Sequence, residues 1–263
     1  MTEPSKLLRE IFEGYAQSVG LDPSARYFHG TPLRPVVPLD VGVGNVFILG
    51  AYPSARFVQL DGVADVPVAD NLGPFENEHW FDGARVREQP SARELRDYFL
   101  EPLNLERRSC WVSDLVKVFL FKPGHVERYR RLGAEPPVGY RRERFIELAE
   151  RSMPWIAREI RLAQPRLLIT LGSEVAGVVR GVRSAAAQTR LLVPRVVPLV
   201  VEDMTVPTIH CAHPGILMRG GERNPWPEDH RNMFVPAIRE ALSSTGAAPN
   251  MALNATGAGA PAR

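Results

Sequence analysis

The sequence contains few cysteines, few lysines and no long apolar run. Cys110 and Cys211 are its only cysteines, which are too few for a four-cysteine iron–sulfur cluster or a cysteine-only zinc site. No apolar run approaches the roughly 20 residues that span a bilayer, and the amino terminus lacks the basic-then-apolar order of a secretion signal. We therefore expect a cytoplasmic protein with no membrane segment, no metal and no other cofactor.

Nearly all the basic residues are arginines rather than lysines. The formal net charge is only +2, and the only lysines are Lys6, Lys117 and Lys122. Arginine suits planar, bidentate recognition of phosphate, but genome composition also explains a preference for arginine over lysine. The charge therefore permits a nucleic-acid partner without requiring one.

Four short apolar runs predict strands that are covered on both faces, because their apolar residues are continuous rather than alternating. Apolar residues at helical spacing predict helices between these strands. The alternation predicts an α/β fold, a three-layer α/β/α sandwich around a short, mostly parallel four-stranded sheet. We expect strands at 46–49, 111–118, 166–171 and 206–211, and helices at 5–19, 91–100, 140–163, 173–179 and 227–242.

The remaining segments carry weaker signals. Residues 191–201 are compatible with a hairpin or an irregular β segment, whereas 55–89 and 119–137 have the composition of long loops, which are often functional inside a compact domain. We expect residues 1–242 to form a single domain that acts as a monomer. Residues 243–263 are rich in Ala, Gly, Pro, Ser and Thr and are expected to be a disordered tail.

The ends of the four strands are expected to meet at one edge of the sheet, because the carboxyl ends of parallel strands lie side by side. His213 follows the last strand, where a neutral imidazole could donate to a developing oxyanion; the alternative is a hydrogen bond to a loop carbonyl. Asp114 interrupts an apolar strand, so its carboxylate needs a ligand or a cation, with Lys117 or an arginine as the alternative partner. The strand ends are 50–54, 114–117, 172–174 and 213–219.

Other polar and aromatic residues are open to structural interpretations. Phe75 either offers a flat face to an aromatic ligand or fills the core. Ser173 lacks the spacing of a nucleophile elbow and is predicted to cap a helix, as is Ser91, with Glu94 completing its capping box. The His-Cys-x-His pattern at 210–213 does not favour a metal site, because successive strand residues point to opposite faces.

Five short motifs occur in order along the chain: NVFILGAYPS at 45–54, GPF at 73–75, WVSDLVKV at 111–118, RLLITLG at 166–172 and IHCAHPGILMR at 209–219. Together they resemble the motifs of the uracil-DNA glycosylase superfamily, and the ordered set is more specific than any one of them. The resemblance implies a four-stranded parallel sheet between helices. It also implies DNA, duplex or single-stranded, as the partner, and a base that leaves the stack before its glycosidic bond is cleaved.

The resemblance implies roles for individual residues. His213 matches the histidine that stabilises charge developing on the base, and Asp114 stands where the family usually has the asparagine that reads the base edge. Phe75 matches the aromatic residue that stacks on the base, and residues 216–218 match an apolar wedge that enters the duplex. The implied sets are catalytic His213 and Asp114, a substrate pocket of Gly50, Ala51, Tyr52, Pro53, Ser54 and Phe75, and DNA contacts from Pro214, Leu217, Met218, Arg219 and Lys117.

Two departures from the family pattern bear on activity. Ala51 and Tyr52 stand where many members carry an acid or amide that handles the attacking water, and Asp70 or Glu76 of the long loop would have to substitute for it. An ionised Asp114 only accepts hydrogen bonds, so it favours a base edge with an exocyclic amine unless it is protonated.

These features leave three hypotheses. The leading one is a metal-free DNA glycosylase with an altered base preference. The missing acid supports a second, a catalytically silent module that binds a nucleobase or nucleic acid in the same pocket. The third is an unrelated α/β hydrolase that acts on a small nucleotide, and a basic groove leading to the pocket would argue against it.

Overall fold

A computed structural model describes residues 2–219, 221 and 223–244 of the chain. Nine strands occur within these residues, and four of them coincide with the predicted apolar runs. They are β1 (Val46–Gly50), β2 (Ala55–Leu60), β3 (Val63–Asp70), β4 (His79–Phe81), β5 (Val86–Glu88), β6 (Trp111–Asp114), β7 (Leu167–Leu171), β8 (Val197–Val201) and β9 (Met204–Cys211).

Ten α-helices occur in the same described ranges. The longest is amphipathic and contains Pro154 in its interior. The helices are α1 (Glu3–Ser18), α2 (Pro90–Leu95), α3 (Glu101–Leu103), α4 (Pro123–Arg131), α5 (Phe145–Ala163), α6 (Ser173–Arg180), α7 (Ala185–Thr189), α8 (Pro214–Leu217), α9 (Trp226–Asp229) and α10 (Val235–Ser244).

The central sheet has five strands in the order β6-β1-β7-β9-β8. The first four are parallel to one another, which confirms the predicted core. The fifth strand, β8, pairs antiparallel with β9 and closes one edge of the sheet. The predicted four-stranded sheet is therefore correct for the parallel part, but the whole sheet has one strand more. That additional edge strand, β8, comes from the segment 191–201.

The sheet lies between two layers of helices, as the continuous apolar runs predict. Successive side chains of β1 point to opposite faces. Phe47 and Leu49 enter one hydrophobic cluster with residues of α1 and α5. Val46 and Ile48 enter a second cluster with residues of α2, α3 and α10. A strand that must be apolar on both faces is therefore covered on both faces, and the three-layer α/β/α architecture is confirmed.

Both segments predicted as loops contain regular structure, and those predictions were wrong. Residues 55–89 contain the antiparallel hairpins β2–β3 and β4–β5, and 119–137 contain α4. Strand β6 ends at Asp114 rather than continuing to position 118.

The predicted helix caps were also wrong. Helix α2 begins at Pro90 with Gln89 as its N-cap, and α6 begins at Ser173 with Gly172 as its N-cap. Ser91 and Ser173 therefore lie inside their helices, and Glu94 is not engaged in a capping box with Ser91.

Two π-helical turns pack against each other within the second helical layer. They are Arg96–Leu100, which continues α2, and His230–Phe234, which joins α9 to α10. The rings of Phe99 and His230 are 4.7 Å apart between centroids, and His230 Nε2–H donates to the carbonyl of Tyr98 at 2.7 Å. Each turn therefore depends on the other for its packing.

The carboxyl-terminal tail predicted at 243–263 lies, from position 245 onward, outside the described residues. The single domain predicted over 1–242 stays a prediction. Of the helices described, none has the length and apolar character needed to cross a membrane.

Candidate functional site

A cavity of about 680 Å³ opens at the carboxyl edge of the parallel strands, within the range of about 300–1,000 Å³ typical of ligand pockets. The loop after β1 and the loop after β9 both line it, through Tyr52 and His213. Segments far apart in sequence therefore converge as parallel topology requires. The predicted residues that line the cavity are Ala51, Tyr52, Pro53, Ser54, Phe75, Asp114, His213 and Arg219.

His213 is held as a neutral hydrogen-bond donor. It is the N-cap of α8, and its Nδ1 accepts a hydrogen bond of 3.0 Å from the N–H of Gly215. Because Nδ1 accepts, the proton of the neutral ring is on Nε2. Burial, together with the positive charges of Lys122 and Arg219, lowers the pKa of His213 to about 4. At neutral pH the imidazole therefore carries one N–H donor and no net charge.

Asp114 lies on the cavity wall beside Gly50, which has no side chain. The register pairs Gly50 with Asp114, and a Cβ built on Gly50 would lie 2.2 Å from Asp114 Oδ1 and 2.7 Å from the ring of Phe75. Asp114 is only 2% exposed, and its Oδ1 has no hydrogen-bond partner in the described structure. Gly50 thus allows a carboxylate and an aromatic ring to meet in the pocket, since any larger residue would separate them.

Asp114 stays protonated to a much higher pH than an ordinary aspartate. Burial raises its pKa to about 7; the ammonium of Lys117 lowers the pKa and the carboxylate of Glu159 raises it. The ammonium of Lys117 contacts Glu159 and lies 2.5 Å from Ser113 Oγ. The alternative of a salt bridge between Asp114 and Lys117 was wrong, because Glu159 takes the cation.

Phe75 adopts an unusual backbone conformation that is fixed from outside the pocket. Its φ is +55°, in the left-handed region that is rarely occupied by bulky residues. Arg107 donates to the carbonyls of Pro74 and Phe75, both at 2.8 Å, and to the carboxylate of Glu76 at 3.1 Å. Such outliers persist where surrounding contacts hold them and are frequent at ligand sites.

Three of the predicted DNA contacts are buried in the described structure. Lys117 is fully buried with Glu159, so its ammonium cannot reach a nucleic acid. Pro214 and Leu217 are also buried, because they face the core side of α8. Within the predicted wedge at 216–218, the flanking residues Ile216 and Met218 are each 38% exposed.

Neither loop carboxylate that was considered for activating water lines the cavity. Asp70 accepts hydrogen bonds from Tyr27 Oη–H at 2.5 Å and from the backbone N–H of Arg34 at 2.9 Å. Glu76 pairs with Arg107. The hypothesis that one of them substitutes for the missing acid was therefore wrong.

Several lining residues were not predicted from the sequence. Arg142 lies over the ring of Tyr52, with its Cζ 5.3 Å from the ring centroid, and pairs with Glu174. Lys122 and Glu94 also line the cavity. The capping pattern at 91–94 obscured Glu94, and no sequence signal distinguishes Arg142 or Lys122 from other basic residues.

The described residues contain no group of three or more His, Cys, Asp or Glu side chains placed to hold a metal ion. The side chain of His210 is fully engaged. Its Nδ1 is 2.7 Å from Thr170 Oγ1, and its Nε2 accepts from Arg180 Nε at 2.9 Å.

The fold and the cavity define an α/β/α protein with a pocket that presents an aromatic face, a carboxyl group and a neutral imidazole at the carboxyl edge of its sheet. The family model described as the uracil DNA glycosylase superfamily matches residues 3–236. The chain belongs to that superfamily. A search of curated proteins found no match.

Proposed function

We propose that the protein is a DNA glycosylase that takes a damaged or deaminated base into the cavity and hydrolyses its N-glycosidic bond. The observation that carries this proposal is the state of His213. His213 lines the pocket and carries a free Nε2–H. Such a neutral donor is what a leaving base needs, because negative charge develops on the base as the bond breaks. For His213 to be an imidazolium at neutral pH, its pKa would have to be far above the value of about 4 that its surroundings give it.

The pocket wall supports recognition of a planar heterocycle. The ring of Phe75 offers the stacking face, and Asp114 meets it beside Gly50. The unpartnered Oδ1 of Asp114 is a buried acceptor that a base edge would satisfy. When ionised, Asp114 favours an exocyclic amine; when protonated, it can also donate to a carbonyl.

The rim of the pocket supports docking of DNA. Ile216 and Met218 present exposed apolar side chains on either side of buried Leu217, as a wedge between base steps requires. Arg219 is exposed beside them, and Lys122 lies on the same rim. Their charges favour phosphates near the opening and disfavour the third hypothesis, a hydrolase of small nucleotides.

The test is excision from oligonucleotides, single-stranded and duplex, that carry uracil, hypoxanthine, xanthine or alkylated bases. We expect excision of at least one base by the wild-type protein. His213→Ala should lower the single-turnover rate about 10²- to 10³-fold, the usual effect of losing one oxyanion donor. His79→Ala, which removes an exposed histidine of β4, is the matched control. No excision on the whole panel, or full activity in His213→Ala, would overturn the proposal.

A second candidate is a silent module that binds a nucleobase or nucleic acid without cleaving it. The observation that favours it is Tyr52, which lies beneath Arg142 and stands where many family members carry the acid or amide that handles the attacking water. Burial raises the pKa of Tyr52, so its phenol stays protonated and is a poor base at neutral pH. Tight binding of the same oligonucleotides without any cleavage would support this candidate.

A further inference from the structure

Three carboxyl groups line the cavity in the described structure: Glu94, Asp114 and Glu174. Glu174 is paired with the guanidinium of Arg142. Asp114 is enclosed against Gly50 and Phe75, where a bound base would cover it. Glu94 is half-buried and has neither a hydrogen bond nor an ion pair with any described residue. Of the three, Glu94 is therefore the carboxylate available to a small polar reactant.

Glu94 lies next to the candidate catalytic histidine. A Cβ built on Gly215 would lie 3.4 Å from Glu94 Oε2 and 3.3 Å from His213 Nδ1. The carboxylate and the imidazole therefore face the same side of Gly215, and the absence of a side chain there leaves the space between them open. This places a free carboxylate beside the group that would stabilise the departing base.

The electrostatic surroundings suit a proton acceptor. Burial raises the pKa of Glu94, while Arg93 on its own helix and Arg219 after α8 lower it. The neighbouring His213 ring is neutral near pH 7 and adds no positive charge. A carboxylate whose pKa is raised toward the working pH is a better general base than one with an ordinary pKa.

We propose that Glu94 is the general base that takes a proton from the attacking water, a role that rests on the proposed glycosylase activity. The water oxygen bonds to C1′ of the deoxyribose as the C1′–N bond breaks. The bonding pair leaves with the base, whose negative charge is stabilised by His213 Nε2–H. The water proton passes to Glu94 and then to the released base or to solvent. The products are a free base and an abasic deoxyribose with a hydroxyl at C1′.

The experiment measures single-turnover excision of the best substrate across pH 5 to 9, with DNA affinity measured separately. In the wild-type protein we expect the rate to rise with pH as Glu94 ionises and then to level off, with any change centred near pH 7 belonging to Asp114 and retained by the Glu94 variants. Glu94→Gln should lower the plateau rate about 10²- to 10⁴-fold, the range for loss of a general base, remove the rising limb, and change DNA affinity less than threefold. Glu101→Gln, which removes an exposed carboxylate in the same helical stretch, should behave as the wild type.

Chemical rescue separates a catalytic role from a structural one. Added formate should restore part of the activity of Glu94→Ala and none of that of His213→Ala. Wild-type rates and an unchanged pH profile in Glu94→Gln, or no rescue of a folded Glu94→Ala, would overturn the assignment while leaving the glycosylase proposal intact. Absence of excision by the wild-type protein would instead overturn the proposed function itself.

Discussion

Asp114 is held in the folded protein at a cost, because its carboxylate is enclosed without a cation of its own. Lys117, the nearest candidate, is committed to Glu159. Burial therefore raises the pKa of Asp114 to about 7 from its ordinary value of 3.8. Residues with perturbed pKa values of this kind concentrate at functional sites, and the stability they cost is measurable.

The sign of this effect is defined by the two pKa values. Between pH 3.8 and about 7 the unfolded protein has an ionised Asp114 and the folded protein a protonated one, so this group lowers stability as pH rises and adds no further change above pH 7. Asp114→Asn lacks the titration. We expect the free energy of unfolding of the variant minus that of the wild type to grow by about 2–4 kcal/mol from pH 4 to 7.

Urea unfolding at pH 4.5, 6, 7.5 and 8.5 measures this difference, with the exposed Asp97→Asn as a control. A difference that stays constant with pH would show that Asp114 is ionised throughout.

Gly50 makes a second prediction at the scale of single residues. An alanine Cβ would contact Asp114 Oδ1 and the Phe75 ring far inside their van der Waals distances. We expect Gly50→Ala to destabilise the protein by about 1–3 kcal/mol, the usual effect of overpacking, and to weaken base binding. Gly14→Ala in α1 is the control, since a Cβ there meets nothing within 4 Å. Thermal unfolding and excision rates measure both, and equal behaviour of the two variants would contradict this account of Gly50.

At the scale of elements, β6 and α5 are joined by a buried polar cluster. Glu159 of α5 accepts from Trp111 Nε1–H at 2.9 Å and from Ser113 Oγ–H at 2.7 Å, and pairs with Lys117. The cluster fixes the strand that carries Asp114 against the helix behind it. Groups that share one buried network are expected to be strongly coupled.

Lys117→Met should destabilise the protein by about 3–5 kcal/mol, because it leaves the charge of Glu159 buried without a cation. The double variant Lys117→Met with Glu159→Gln should recover most of that loss, since the glutamine oxygen still accepts from Trp111 and Ser113. Denaturant unfolding of the single and double variants completes the cycle. Additive losses would contradict the coupling.

The same scale shows which elements the sequence predicts. The continuous apolar run at 46–49 predicts β1 because a strand with both faces buried must be apolar throughout. The first hairpin was missed because its strands are mostly only partly buried and carry no clear alternation. A local signal existed: Asp61 and Gly62 both have positive φ, the conformation of a two-residue hairpin turn.

The candidate site was predictable to the same extent. The positions of the strand ends in the sequence predict that Gly50, Asp114 and His213 lie together, since parallel pairing brings strand ends to one edge of the sheet. Lys117 was misassigned because its partner, Glu159, lies on a helix much later in the chain. Sequence proximity to Asp114 therefore pointed to the wrong partner.

At the scale of the whole molecule, the net charge is only +2, so the position of individual cations matters for DNA docking. Arg219 and Lys122 stand at the rim and make no ion pair with the described residues. Arg161, near the opposite end of the sheet, pairs with Glu202 and Asp203. DNA that docks at the rim is thus expected to meet the unpaired cations first.

This distribution predicts the salt dependence of DNA binding. Arg219→Ala should weaken binding of all duplex sequences alike and reduce the slope of log affinity against log salt by about 0.9, the value for one lost phosphate contact. Arg161→Ala removes the same charge far from the rim and should leave the slope unchanged. Fluorescence anisotropy between 50 and 200 mM salt measures both. Equal slopes in the two variants would place the phosphate path elsewhere.

The paired π turns make chain length itself a constraint. Each turn holds one residue more than a regular helical turn, so deleting a single position from 96–100 would rewind it as an ordinary α-helical turn and change which side chains it presents. Phe99 would then leave His230, whatever amino acids remained. Natural variation in length should accordingly accumulate at hairpin tips such as Gly62 and be absent from these two turns.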